Sequence, residues 1–296
     1  LEDKEDKMNF SDPKIQAALI AAAVSVFVLI LKGISRPLWE RYFHTYKLES
    51  DYRFEQKKQV REAISKHKIA LLNAAESLNH RMWNFSENAP EGWHKIDSYP
   101  VVEKYYLISF CYRFLLFFAI CRDIERETIY LDSTVSTDTD LTFLKYIKLF
   151  PQLFCDVSIF KGFEYDKSSD SDHFYRDDFN AMLKKINSNT QLLDFNEFKK
   201  LDFDNDFPKI IKYFSGVSLQ RDCMRWQALN SFHFVLMAFI NEYGYDFQVT
   251  STKQFKKLTD DLPTNIITQN VDTFVKRSGL EKSKQLKAAL NCLKRV

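Results

Sequence analysis

The first residues with catalytic potential are an arginine and a histidine in the stretch REAISKH, Arg61 and His67. Histidine can act as a general acid or base, and arginine can stabilise the charge on a phosphate group. Such a pair could therefore act on a phosphate ester, of which RNA is one example. The offset corresponds to about 600° of helical rotation, or about 240° net, so the side chains diverge on a regular helix. Catalysis is therefore the minority interpretation.

A second set of polar residues lies inside apolar stretches that we predict to be buried helices. Arg113 stands at the centre of YYLISFCYRFLLFFAIC and needs an acceptor, for which Glu76 and Glu103 are candidates. The other members are Arg81, Arg225, Asn230 and His233. Buried polar groups are normally hydrogen-bonded. These residues are therefore either satisfied core residues or the lining of a shared polar pocket.

A heptad-type seam follows the helix predicted from about Pro37 to Phe85. Its members are Val60, Ile64, His67, Leu71, Ala74, Leu78, Arg81 and Phe85, spaced alternately four and three residues apart. This spacing places them on one helix face, which we expect to be packed. The segment from Val60 to Leu78 is also expected to contact a second copy of the chain.

The sequence lacks the usual markers of several enzyme classes. It has no P-loop, no dinucleotide-binding glycine motif, no nucleophile elbow and no H-E-x-x-H zinc motif. The 6 histidines are scattered and predict no metal site, and no cofactor is expected. A net charge of +2 argues against dominant nonspecific binding of nucleic acid. RNA stays a candidate partner only through Arg61 and His67.

The stretch from Ile15 to Leu31 is apolar apart from Gln16 and Ser25, and it is long enough for a bilayer core. We predict an uncleaved transmembrane helix at residues 15–34; a secretory signal and a buried core helix are the alternatives. Lysine and arginine are concentrated after this segment, which predicts a cytoplasmic body and an extracytoplasmic tail, residues 1–14. The expected location is the bacterial inner membrane, with the lipid bilayer as a partner.

Small residues form a stripe in the predicted transmembrane helix. Ala17, Ala21 and Ser25 lie four residues apart. Small side chains let helix backbones approach closely in lipid. The stripe therefore predicts an interface between copies of the chain and a homo-oligomer.

Composition predicts an all-α fold, with an N-terminal transmembrane helix followed by a helical bundle in one or two lobes. The 6 glycines and 7 prolines are too few for a barrel or sandwich, while 27 phenylalanines and 14 tyrosines supply apolar area for a helical core. The predicted order is a tail at 1–14, the transmembrane helix at 15–34, a juxtamembrane helix and first lobe at 35–156, a linker at 157–172 and a second lobe at 173–296. The 5 cysteines show no C-x-x-C pairing and are expected to be reduced.

Two blocks, LLNAAESLNHRMWNF and YYLISFCYRFLLFFAICRDIERE, carry a resemblance. They are similar to a loosely defined group of uncharacterised bacterial proteins with one membrane helix and a helical cytoplasmic body. The matching positions are Ala75, Leu78, Arg81, Met82, Trp83, Asn84, Ile124, Arg126 and Glu127. The spacing of Arg61 and His67 resembles that of HEPN-type ribonucleases. This resemblance implies that the histidine acts on the ribose 2′-hydroxyl and the arginine stabilises the phosphate charge, without a metal ion. More distantly, the chain resembles the HEPN-like membrane accessory proteins of RNA-targeting CRISPR systems, which are thought to form pores.

These observations predict a membrane-anchored, self-associating helical effector or signalling protein. The resemblance implies a role in antiviral defence that acts on membrane integrity. One alternative is a membrane-tethered, metal-independent ribonuclease of HEPN type, and a second is a membrane scaffold for a partner enzyme encoded nearby.

Overall fold

The protein is described by a computed structural model that covers residues 13–96, 101–164, 172–188, 191–220, 223–260 and 265–293. The predicted tail and the serine-rich part of the predicted linker lie almost entirely outside these ranges. The described chain is all-α, as predicted, with one antiparallel pair of two-residue strands. It forms two compact units, which divide between Gln56 and Lys57.

The helices and strands are, in chain order, α1 (Pro13–Asn88), α2 (Tyr105–Thr128), α3 (Asp138–Cys155), α4 (Arg176–Ile186), β1 (Asn187–Ser188), β2 (Gln191–Leu192), α5 (Phe195–Phe198), α6 (Phe203–Asp206), α7 (Pro208–Ser215), α8 (Met224–Tyr243), α9 (Thr252–Asp260), α10 (Asn265–Arg277) and α11 (Lys284–Leu293). Helix α1 includes both the predicted membrane helix and the predicted juxtamembrane helix.

The first unit, up to Gln56, contains the apolar segment of α1. Within the described residues, the segment Pro13–Gly33 is long and apolar enough to cross a membrane, and none of its apolar window is buried. Large apolar side chains are exposed on all sides of it: Leu19, Ile20, Val24, Val26, Phe27, Val28, Leu29, Ile30 and Leu31. The apolar surface of this segment is therefore not packed within its own unit.

The second unit, from Lys57 onward, forms the body of the protein and has one hydrophobic core. Six apolar members of the predicted seam are buried in it: Val60, Ile64, Leu71, Ala74, Leu78 and Phe85. The prediction of a packed face on this helix is thus confirmed. The prediction that the seam contacts a second copy is wrong, because residues of the same chain already cover it.

The centre of the core is an aromatic cluster around Phe232 of α8. Five rings from α2 and α3 have their centroids 5.3 to 6.2 Å from that of Phe232: Phe114, Phe117, Phe118, Phe150 and Phe154. Tilted and edge-to-face contacts of this kind are the favoured geometries for aromatic pairs. The core is therefore continuous across the predicted linker at 157–172, while the lobe boundaries proposed there stay predictions.

Candidate functional site

A cleft between the C-terminal half of α2 and helix α4 is the main candidate site of the body. Its cavity volume is about 790 Å³, within the range of roughly 300 to 1,000 Å³ that is typical of small-molecule sites. The cleft is lined by Arg122, Glu125, Arg126, Ile129, Arg176, Asp177, Asn180, Ala181 and Lys184. We call it the basic cleft.

Helical spacing arranges the polar residues of the basic cleft in two rows. Arg122 and Arg126 are one turn apart on α2, and Arg176, Asn180 and Lys184 follow at one-turn intervals on α4. Residues four apart share a helix face, so each row points in one direction. The two rows line the same cavity.

The floor of the basic cleft is apolar and holds α2 against α4. A narrow void that shares Arg122, Glu125, Arg176 and Asn180 with the cleft is closed by Phe118, Cys121, Pro151, Cys155, Phe179 and Leu183. The ring centroids of Phe118 and Phe179 are 5.1 Å apart. Burial raises the pKa of the Cys121 thiol and raises that of Cys155 to about 12. Both thiols are therefore protonated at neutral pH and serve as packing residues.

One arginine of the basic cleft, Arg122, has an unused hydrogen-bond donor. Nη1 of Arg122 is buried and has no hydrogen-bond partner among the described residues. Burial lowers the pKa of Arg122, as does the neighbouring Arg126, while Asp123 opposes them. The Asp123 carboxylate instead accepts a hydrogen bond from the side-chain amide of Asn187. An unpaired buried guanidinium nitrogen is costly, so an acceptor is expected there.

Positive charge is in excess in the basic cleft. Within the described residues, Arg126, Arg176 and Lys184 form no ion pair with a carboxylate. The lining includes two carboxyl groups, those of Glu125 and Asp177. Burial raises the pKa of Glu125, although Arg176 and Lys148 lower it. Four cationic side chains thus face two acids. The arrangement is suited to an anion with more than one negative charge.

The structure brings together two of the predicted site residues, Arg81 and Arg113. Nη2 of Arg81 donates a hydrogen bond of 2.6 Å to Oγ of Ser109, and Nη1 of Arg113 donates to the same oxygen. The Arg81 guanidinium also lies over the ring of Tyr106, 4.4 Å from its centroid. This cation–π contact and the shared hydroxyl hold the pair in place.

The expectation of a carboxylate partner for Arg113 is wrong. Nε of Arg113 donates a hydrogen bond of 2.9 Å to Oγ of Ser77. Within the described residues neither Glu76 nor Glu103 forms an ion pair with it. Burial lowers the pKa of Arg113, and the charge of Arg81 lowers it further. The arginine pair is therefore held by hydroxyl groups, which can accept hydrogen bonds without a full negative charge.

His233 is a core residue with a hydrogen-bond partner. This is the first of the two roles predicted for it, the other being the lining of a polar pocket. Its Nε2 lies 2.8 Å from Oδ1 of Asn79, and its ring meets that of Trp83 edge-on at 5.3 Å. Burial lowers the pKa of His233 to about 3. The imidazole is therefore neutral at physiological pH and donates its Nε2 hydrogen to the Asn79 oxygen.

Asn230 lies one turn before His233 on α8 and has no comparable partner. The side chain is 1% exposed, and neither its Oδ1 nor its Nδ2 has a hydrogen-bond partner among the described residues. A buried, unpaired amide costs about 1 to 3 kcal/mol. Asn230 is therefore expected to destabilise the body.

Replacing Asn230 by Leu is expected to raise the free energy of unfolding by about 1 to 3 kcal/mol, because leucine branches at the same atom as asparagine and has no polar atom to satisfy. The matched control is Asn79→Leu, which removes the acceptor of His233 and should lower the free energy of unfolding by a similar amount. Urea unfolding of the full-length protein in detergent measures both changes. Leucine is larger than asparagine, so a loss of stability in both Asn230→Leu and the smaller variant Asn230→Val would show that this amide is engaged.

Arg225 joins the start of α8 to the end of α7. Its Nε is 2.9 Å from Oδ1 of Asp172, and its Nη1 donates a hydrogen bond of 2.8 Å to the carbonyl oxygen of Lys212. A Cβ at Gly216 would lie 1.8 Å from Nη1, so a glycine there leaves room for the guanidinium. Arg225 is therefore engaged in packing two helices, and it does not line the basic cleft.

Arg61 and His67 interact with different acids. Nη2 of Arg61 is 3.5 Å from Oδ2 of Asp140, while Nε2 of His67 is 3.0 Å from Oε1 of Glu127. Lys66 also bonds to Glu127. Burial raises the pKa of Glu127, but the contacts with Lys66 and His67 outweigh this and lower it. The ribonuclease interpretation stays a prediction that rests on spacing.

The stripe of small residues lies on the exposed surface of the first unit. Ala17, Ala21 and Ser25 are all exposed. The Ser25 hydroxyl donates a hydrogen bond of 2.7 Å to the Ala21 carbonyl within its own helix. A contact between copies along this stripe stays a prediction.

The basic cleft is a feature that sequence reasoning missed. A local signal is present, because the cations recur at one-turn and two-turn intervals in RDIERE and in RDDFNAMLK. The pairing of these two segments depends on tertiary packing. Among the described residues, no cluster of histidine, cysteine and acidic residues could hold a metal ion.

Comparison of the chain with protein-family models, with curated proteins and with solved structures finds no match. Its function is therefore inferred from its own residues.

Proposed function

We propose that the chain is a single-pass membrane protein whose body lies in the cytoplasm and works as an effector or signalling module. The exposed apolar surface of Pro13–Gly33 carries this proposal. A helix that is apolar on all sides is typical of a membrane span and not of a solvated face. Exposure of this surface to water would cost about 25 cal/mol per Å².

The residues after the apolar segment support the same function and suggest its orientation. Trp39, Tyr42 and Tyr46 are 62 to 69% exposed, and such rings favour the headgroup layer of a bilayer. Basic residues also follow the segment closely in the sequence: Lys32, Arg36, Arg41, Lys47 and Arg53. An excess of lysine and arginine marks the cytoplasmic end of a span. Self-association and antiviral defence stay predictions beyond this proposal.

Membrane fractionation of the full-length chain, expressed in a bacterial host, tests the proposal. The chain is expected to stay with membranes after an alkaline carbonate wash. The variant Val24→Arg/Phe27→Arg is expected to leave the membrane fraction, because two arginines near the centre of a span oppose insertion by about 5 to 7 kcal/mol. The control Tyr52→Arg/Phe54→Arg changes exposed apolar residues outside the segment and should stay with the membranes.

Two further measurements test whether the segment spans the membrane and which end of the chain faces the cytoplasm. A chain recovered without detergent as a soluble, monodisperse species would contradict a membrane span. A reporter that works only in the cytoplasm, fused at each end in turn, gives the orientation. Activity is expected only at the C-terminal end, and the opposite result would reverse the proposed topology.

A further inference from the structure

We infer that the basic cleft binds a phosphate-bearing small molecule with at least two negative charges. This inference goes beyond membrane anchoring and does not depend on it. The cleft combines an open cavity of about 790 Å³ with the side chains of three arginines and one lysine. Within the described residues, none of these cations forms an ion pair with a carboxylate.

The chemistry of the donors favours phosphate over a simple carboxylate. A guanidinium group presents a planar fork of N–H donors that matches two phosphate oxygens at once. Arg122 and Arg126 approach the cavity from α2, and Arg176 approaches it from α4. Lys184 adds a point charge at the far end of the α4 row. A tetrahedral group with several charged oxygens can engage both rows, whereas one planar carboxylate offers only two oxygens.

Arg122 of the basic cleft differs from two other arginines of the body, Arg113 and Arg225. Arg225 and Arg113 have protein acceptors at 2.8 to 3.0 Å for their guanidinium nitrogens. In contrast, Nη1 of Arg122 is buried without a hydrogen-bond partner among the described residues. A ligand oxygen at this nitrogen would satisfy it. Arg113 and Arg225 thus have hydrogen-bond acceptors within the protein, whereas Arg122 keeps one donor available for a ligand.

The N-terminal end of α4 also favours binding of an anion in the basic cleft. Arg176 and Asp177 are the first two residues of this helix and line the cleft, and no side chain caps the helix at Tyr175. The backbone N–H groups and the dipole of a helix favour an anion at its N-terminal end. Asp177 supplies negative charge of its own there, so the ligand must carry enough charge to compete. A requirement for at least two negative charges follows.

The size of the cleft indicates more than inorganic phosphate. The volume of about 790 Å³ accommodates a ligand of drug-like or nucleotide size. Ile129 and Ala181 offer apolar contact beside the charged rows. The same chemistry is found in soluble phosphate esters and in the headgroups of phosphorylated lipids. Titrations with soluble probes and with lipid vesicles separate these two sources.

Calorimetric titration of the full-length protein in neutral detergent, with pyrophosphate and ATP as probes, tests the soluble source. Binding is expected, and it should weaken as salt is raised. Arg126→Gln should weaken it about tenfold and Arg122→Gln/Arg126→Gln about a hundredfold, as expected for charge-assisted hydrogen bonds. The control Lys200→Gln/Lys282→Gln removes the same charge from exposed positions outside the cleft and should bind like the unmodified chain.

The lipid source is tested with phosphatidylcholine vesicles, with and without phosphatidylinositol phosphates, and with the same variants. Binding of the soluble probes or of the phosphorylated lipid supports the proposal, provided that the cleft variants lose it. Binding of no probe by the unmodified chain would overturn it, as would equal binding by the cleft variants and the control. Arg126 is exposed, so Arg126→Gln is expected to fold normally. This single variant therefore tests the proposal even if the double variant fails to fold.

Discussion

Replacing Phe232 by Ala is expected to lower the free energy of unfolding by about 3 to 5 kcal/mol, as is typical for truncation of a fully buried aromatic ring. Phe232 has no exposed surface, and five rings from α2 and α3 surround it. Those rings are fixed by their own helices and cannot collapse into the space that alanine leaves. Urea unfolding of the full-length protein, followed by circular dichroism, measures the change.

The control for this prediction is Phe247→Ala. The Phe247 side chain is 80% exposed, so its truncation should change the free energy of unfolding by less than about 0.5 kcal/mol. A loss of under about 1 kcal/mol in Phe232→Ala would contradict the packing described for α8.

The stability of the body is expected to decrease on acidification, from about pH 6.5 downward, by up to about 1.4 kcal/mol per pH unit from His233 alone. Burial holds the pKa of this residue at about 3 in the folded chain, against an ordinary value of 6.5. Between these values the unfolded chain binds a proton that the folded chain does not, so acid favours unfolding. Above pH 6.5 both states are neutral at His233 and its contribution to stability is constant.

The matched variant for the pH experiment is His233→Gln, which can still donate a hydrogen bond to Asn79 but does not titrate. Its free energy of unfolding should depend less steeply on pH between about 6 and 4. Burial also lowers the pKa of His94, although its hydrogen bond to the Val217 carbonyl opposes this, so part of the slope should remain. Identical slopes in the two proteins would contradict the proposed role of His233.

The helices are predictable because their signals are local. The seam from Val60 to Phe85 repeats its apolar residues at helical spacing, and glycines and prolines are few. The burial of His233 within the apolar stretch of α8 is predictable for the same reason. A periodic pattern reports which face is buried, and this information is contained within a single helix.

A periodic pattern does not indicate which residues cover a buried face. The wrong predictions for the seam and for Arg113, and the missed basic cleft, have this common cause. The spacing of the seam suggests a second copy as its partner, although α1 packs into the core of its own chain. Arg113 donates hydrogen bonds to Ser77 and Ser109. Serine is uncharged, so the pattern of charges in the sequence does not identify these residues as partners of an arginine. The basic cleft needs two segments that lie about 50 residues apart along the chain to be brought together.

The burial of Val60 in the core has a consequence for proteolysis. Lys57 and Lys58, just before it, are exposed basic residues at the start of the body. A trypsin-like protease that cleaves there would separate the apolar segment from a fragment that retains every buried residue of the seam. Cleavage after Phe85 would instead remove the seam and expose the apolar surface of the remaining helices to water. Such a surface favours aggregation and degradation. The position of the cut thus determines whether the core of the body stays intact.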